Sequence, residues 1–227
     1  DATDHWFLTE RDNYDTSPAI RTNAARALEM AGTSIDDIDF FDLYSCFPSA
    51  VQIGRDMLGI AQDDPRPLTV TGGLPYFGGP GNNYVTHSIA AMVEKLRAAP
   101  GTTGLVTANG WYVTKHATGI YSTDPPPGDW HRADPKLDQK AIDADPTPVV
   151  IEMPAGDATV ETYTVLFDRD GAPEQAIVVG RLPDGARFIA NTPQDRALLE
   201  SMTKRECVGA AGQVAQSDDG RNIFSPS

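Results

Sequence analysis

Cysteine is nearly absent from this chain: Cys46 and Cys207 are the two among 227 residues. Two thiols so far apart build no disulfide framework, and neither has the paired spacing that holds zinc, so a reducing compartment and no metal site are expected. Basic charge is scarce as well. Eighteen Lys and Arg stand against 32 Asp and Glu, a formal net charge of −14, and that field repels phosphate backbones and anionic lipid. It argues against nucleic acid and membrane as partners. Long apolar runs are missing: none reaches the roughly 20 residues of a membrane-spanning helix, and no basic and apolar leader opens the chain, so a cytoplasmic location is expected. No methionine precedes Asp1, and the expectation is a fragment, a processed chain or an incompletely ordered one.

What is present is ordinary for a globular chain, with 40% hydrophobic and 22% charged residues. That content supports one domain plus a smaller one. Thr16-Ser17-Pro18 can cap a helix whose apolar positions Ile20, Ala24, Ala27, Leu28 and Ala31 recur at helical spacing until Gly32. Phe40 to Tyr44 is a nearly continuous apolar run, the pattern of a strand covered on both faces. Cys46 falls where that strand ends. Pro48 starts a second helix that Gly59 closes, so the thiol sits in a tight turn between strand and helix, the edge of an α/β sheet that ligands favour.

After the Asp- and Pro-rich stretch 63–67, a brief strand is expected over Leu68–Thr71, then a glycine-dense turn from Gly72 to Asn83. Asn82 or Asn83 can cap the next helix, with Val85, Ile89, Met92, Val93 and Leu96 on one face. Thr103–Ala108 and Ala117–Ser122 read as two closing strands around Asn109-Gly110. The alternation predicts an α/β class. Residues 124–148 turn to Pro, Asp and Gly without periodicity, which predicts a linker between a domain over 1–123 and a second over 149–227. In the tail, strands are expected at Val149–Met153, Thr159–Phe167, Ala176–Leu182, Ala186–Ala190 and Cys207–Val214, with a helix over Pro193–Met202. Short antiparallel strands with one helix fit a small β-barrel of the oligonucleotide-binding shape. The acidic Asp168, Asp170, Asp218 and Asp219 argue against that barrel gripping nucleic acid.

On residue chemistry alone, Cys46 reads either as a small buried hydrophobe or as a site thiol, and its place at the strand end favours the site. The run Gly72–Gly81 lacks the dinucleotide spacing and the Lys-Ser or Lys-Thr of a phosphate loop. Close backbone packing under an acyl or pantetheine chain suits it better. Tyr76, Phe77, Tyr84, Trp111 and Tyr112 either wall a pocket or fill the core.

Three segments, Leu43-Tyr44-Ser45-Cys46-Phe47, the Gly72–Asn83 loop and Gly104-Leu105-Val106-Thr107-Ala108-Asn109-Gly110, resemble in order and spacing the active-site loops in the C-terminal half of the thiolase superfamily. The opening Asp4-His5-Trp6-Phe7 and the phrase Leu43 to Val51 are similar to its acetyl-CoA acetyltransferase and thiolase-like type 1 branch. The resemblance implies a layered α-β-α C-terminal domain with an extra small barrel. It also implies acyltransferase chemistry in lipid metabolism, on coenzyme A thioesters rather than a covalently bound cofactor. The family's nucleophilic cysteine lies in its N-terminal half, so the implied partner is that half, on the same chain or a cleaved one, with a homo-oligomer left open.

Carried over residue by residue, the resemblance keeps Cys46 as acid/base, while Tyr44, Ser45, Phe47, Gly78, Gly79, Pro80, Asn109 and Gly110 line the substrate. It also shows losses. Tyr44-Ser45-Cys46-Phe47 stands where sterol-carrier-type thiolases read His-Asp-Cys-Phe. Gly78-Gly79-Pro80 replaces Gly-His-Pro, and Ala108-Asn109-Gly110 replaces Cys-x-Gly. Thioester acyl transfer needs a thiolate, a base within reach and oxyanion donors. His116 is the candidate replacement imidazole, against the plain reading of an edge-strand polar residue without a role. Two functions are therefore expected: a thiolase-type acyltransferase of which this chain is the part inactive alone, or a degenerate acyl-CoA-binding or scaffold protein.

Overall fold

Ser17 Oγ accepts from Ile20 N, Pro18 takes the first turn, and Gly32 at φ 63° closes helix α1 (Pro18–Ala31) in the left-handed cap that glycine adopts without strain. The spacing of apolar residues places this helix correctly from end to end. The computed structural model describes every residue except Pro127, Trp130 and Arg132. Contacts divide it into two units, one of Asp1–Trp6 with Asn13–Asp145 and one of Phe7–Asp12 with Pro146–Ser227.

The first unit is built on a four-stranded sheet ordered β1 (Ala2–Thr3), β4 (Lys115–Ser122), β3 (Thr103–Gly110) and β2 (Phe40–Asp42). The pair β2–β3 is parallel and the other two pairs are antiparallel. Alternation along the strands separates two packed layers. Phe41 and Leu105 join Ile20, Ala24, Ile38 and Leu58, so α1 and α2 (Pro48–Leu58) cover one face. Phe40 and Val106 join Met92 and Leu96 of α4 (Tyr84–Ala98), which covers the other. The result is the α-β-α layering expected of the class.

Four local expectations need correction in this unit. Leu68–Thr71 forms no strand, because its backbone is spent elsewhere: Leu68 O accepts from Leu43 N at 2.9 Å, and the amides of Val70 and Thr71 turn to Asp42. A short helix, α3 (Leu74–Phe77), interrupts the glycine loop. Asn83 stands at the N-cap of α4 but its side chain makes no cap bond. The stretch taken as a linker over 124–148, of which Pro127, Trp130 and Arg132 lie outside the described residues, holds helix α5 (Pro135–Asp143). Asp134 caps it by accepting from Lys136 N, Ile142 packs on Ala2 and Ala19, and Gln139 bonds both backbone groups of Thr3. One buried apolar residue in nine leaves no legible stripe.

The second unit is a closed barrel ordered β5 (Gly156–Phe167), β6 (Pro173–Arg181), β7 (Arg187–Asn191), β9 (Asn222–Pro226) and β8 (Ala211–Gln216), with α6 (Arg196–Met202) between β7 and β8. This is the small OB-like barrel expected. Closure removes free sheet edges. Val149–Met153 is not a full strand: Val150 makes a single parallel bridge to Arg187. The last stretch pairs later than expected, with Cys207 buried ahead of β8, and the sequence reading missed β9. Its five residues, Asn222-Ile223-Phe224-Ser225-Pro226, carry one buried apolar side chain.

Inside the barrel Phe188 and Phe224 lie over bare glycine backbone. A Cβ on Gly180 would stand 2.3 Å from Phe188 Cζ and 2.9 Å from Thr159 O, so the ring and a neighbouring strand would both have to move. Gly180→Ala is expected to cost about 1–3 kcal/mol. Urea denaturation checks this, and an unchanged midpoint would show that the barrel has slack the packing does not suggest.

Candidate functional site

Asp42 organises the first two loops. A charged side chain inside an apolar strand must meet donors where it is buried, and Asp42, wholly buried, meets five. Oδ2 accepts from Val70 N at 3.0 Å, Thr71 N at 3.2 Å and Thr71 Oγ1 at 3.1 Å. Oδ1 accepts from the Tyr84 hydroxyl at 3.0 Å and Ser88 Oγ at 2.7 Å. One carboxylate thus joins the end of β2, the start of the glycine loop and the first turns of α4. A second clasp follows, in which Leu74 N donates to buried Ser45 Oγ at 2.8 Å.

Cys46 comes next, half-buried. Asn109 Nδ2 at the end of β3 donates to its Sγ over 3.4 Å, so the thiol and the third loop touch. Tyr44 N is anchored on Thr107 Oγ1 of the same strand at 2.8 Å. Burial and the neighbouring Cys46 thiol both push the Tyr44 phenol above its ordinary value of 10.0, and burial does the same at Tyr84. Both phenols stay protonated at neutral pH, and that of Tyr84 donates to Asp42.

Behind Asn109 lies a cavity of about 20 Å³, whose lining includes Tyr44, Thr107, Asn109, Val113 and His116. His116 pairs with Asn109 across one ladder and with Ala2 across the other, which accounts for its 6% exposure and removes the reading of an edge residue. Asp4 Oδ2 is 3.5 Å from His116 Nε2, a distance that allows ionic attraction but not an aligned hydrogen bond. That carboxylate is already engaged by Ser17 Oγ and by Ala19 N at 2.9 Å. His116 Nε2 and Asn109 Oδ1 are both buried without a hydrogen-bond partner among the described residues. The β3–β4 turn that shapes this wall carries Trp111 at φ 58° and Val113 at φ 52°, and a β-branched residue there is strained.

Of the residues expected at the site, Tyr44, Asn109 and His116 meet around one cavity, Cys46 touches Asn109, and Ser45 holds the glycine loop. Phe47 turns outward at 56% exposure, and Tyr76, Phe77, Trp111 and Tyr112 are exposed as well. Gly78 takes φ 81°, and Gly79 presses on Tyr84, where an added Cβ would fall 2.7 Å from Tyr84 Cβ. A side chain at position 79 would therefore force Gly79 or Tyr84 to shift. Asp42, Tyr84 and Thr107 escaped the sequence reading as site organisers, although an acid between Phe41 and Leu43 was a legible signal. Among the described residues, no cluster of His, Cys, Asp and Glu could hold a metal ion, and no helix is long and apolar enough to cross a membrane.

Layered sheet, three converging loops and closed barrel define a thiolase-like α/β unit with a small barrel. Residues 138–220 match the family model of the thiolase-like protein type 1 additional C-terminal domain. The crystal structure of a monomeric SCP2-thiolase-like protein type 1 from Mycobacterium smegmatis is similar at 42% identity and a TM-score of 0.88, over 99% of this chain and 48% of that one. The chain spans about half the length of that relative. No curated protein matches it at the same stringency. These findings support one family, and the chain is thiolase-like.

Proposed function

We propose that this chain supplies the C-terminal half of a thiolase-type site for acyl-CoA thioesters, with Cys46 as the acid/base group nearest the acyl carbon and the N-terminal half of the fold as its partner. The contact of Cys46 Sγ with Asn109 Nδ2 carries this reading, since it brings a thiol and an amide donor together at the sheet edge where a thioester would be held. Acyl transfer is the activity of the completed site. Turnover of acetoacetyl-CoA or a longer 3-ketoacyl-CoA by the protein with both halves tests it. Cys46→Ala is expected to lower kcat about a hundredfold or more while KM changes little, the loss typical of a proton-transfer group. Absence of turnover, or turnover indifferent to the substitution, refutes acyl transfer.

A second reading is favoured by Gly79, whose contact with Tyr84 would have to shift to admit the family's imidazole. It is a protein that binds acyl-CoA without completing the thiolase cycle. Calorimetry with acetyl-CoA and a long-chain acyl-CoA separates the two: binding without turnover supports the silent binder, and absence of binding rejects both.

A further inference from the structure

The cavity behind Asn109 is lined by two residues with a buried polar atom that has no hydrogen-bond partner among the described residues, Asn109 Oδ1 and His116 Nε2, and its volume of about 20 Å³ exceeds the roughly 10–15 Å³ that one water needs. Such a water requires two to four polar partners. Asn109 and His116 both line it, and Thr107 and Thr118 belong to the same wall. His116 is more than nine-tenths buried, so bulk solvent does not satisfy its Nε2.

We propose that one water bridges His116 Nε2 and Asn109 Oδ1, and that this bridge fixes the Asn109 amide with its Nδ2 aimed at Cys46, making Asn109 the residue that sets the reactivity of the thiol. An amide can turn over and exchange its oxygen for its nitrogen, and only its neighbours decide which end faces where. With the oxygen held on the water, the NH₂ group donates to Sγ, and a donor at that sulfur stabilises the thiolate, which is the reactive form. The opposite orientation would set a carbonyl oxygen against the sulfur and disfavour the thiolate. His116 is then a positioning residue acting through water and Asn109, where the sequence reading had it as a base.

The inference rests on Cys46 being the reactive group of the proposed site, but its test measures the thiol and not acyl transfer. Alkylation by iodoacetamide at pH 7.5, with Cys46 and Cys207 followed separately by peptide mass spectrometry, gives the rate. Asn109→Ala is expected to slow Cys46 about tenfold, the worth of one hydrogen bond to a charged atom, and Asn109→Asp by more, because it substitutes a like charge for a donor. His116→Ala is expected to slow it severalfold, and His116→Gln, which retains a donor, to restore most of the rate. Cys207 serves as the folding control, since it is buried in the other unit and its rate stays constant. Unchanged Cys46 rates in both Asn109 variants overturn the proposal, as does a high-resolution crystal structure with no density between the two atoms. Alkylation as expected without thioester turnover refutes the acyl-transfer reading alone.

Discussion

Arg187→Ala is expected to remove about 3–5 kcal/mol from the stability of the barrel unit, the cost of breaking a buried ion pair from one side. The guanidinium is wholly buried and uses all five of its N–H donors. Nε and Nη2 fork onto Glu161 at 2.7 and 2.6 Å, Nη1 donates to the carbonyls of Thr9 at 2.7 Å and Arg11 at 2.6 Å, and Nη2 reaches Asp12 O at 3.2 Å. One side chain of β7 therefore holds the segment Phe7–Asp12 within the second unit. Lysine keeps the charge but not the fork, so Arg187→Lys should fall between the wild type and alanine. Urea unfolding followed by hydrogen exchange in β5 to β9 measures the loss, and a midpoint within error of wild type would remove the pair from any account of stability.

The same pair fixes a dependence on pH. Burial pushes the Glu161 carboxyl up, but the hydrogen bonds and charges of Arg187 and Arg181 outweigh it and hold the group below its ordinary value of 4.5. A carboxyl lowered in the folded state contributes stability that is complete above pH 4.5 and is lost as the pH falls through the folded value. Glu161→Gln should therefore flatten the fall of the barrel's stability as the pH drops below 4.5, and an unaltered limb would mean that other carboxylates control it.

The second large effect is expected at Asp42. Replacement by alanine leaves the amides of Val70 and Thr71 and the hydroxyls of Thr71, Tyr84 and Ser88 without their acceptor. Several buried donors lose a charge-assisted bond together, so the loss should be on the order of 3–5 kcal/mol, against about 1 for a neutral hydrogen bond. Asp42→Asn keeps one acceptor oxygen and should lose less. The glycine loop should also loosen, read as faster hydrogen exchange at Val70 to Leu74, while β5 to β9 remain protected. A loss below about 1 kcal/mol in the alanine variant would mean that solvent reaches these donors and that the loops are joined by something else.

Helix α1 was legible to the residue because cap, apolar period and terminal glycine agree with each other, and α2 because Pro48 in its first turn and Gly59 at its end bracket the apolar period. Strands β3 and β4 followed from their apolar alternation, but Asn109 and Gly110, expected between them, end β3, and the turn falls at 111–114. Leu68–Thr71 was misread because its composition suits a strand while a carboxylate 28 residues away takes its amides. Helix α5 and strand β9 carry too little apolar periodicity to stand out, and tertiary pairing decides them. At the site, position was legible and environment was not. The turn between Tyr44 and Phe47 could be placed from sequence, but the orphaned atoms of Asn109 and His116 exist only once β3 and β4 lie side by side.

Gly79 limits which side chains its loop can carry. The atoms nearest an added Cβ there are Tyr84 Cβ and Cα, and the Tyr84 hydroxyl is moored on Asp42 and Thr71. A histidine at position 79 would set its Cβ 2.7 Å from Tyr84 Cβ, an atom that any smaller side chain at 84 except glycine keeps, so trimming the Tyr84 ring would not relieve the contact. Loop and helix meet here at the limit of approach, so only a shift of the loop backbone would admit any side chain at position 79.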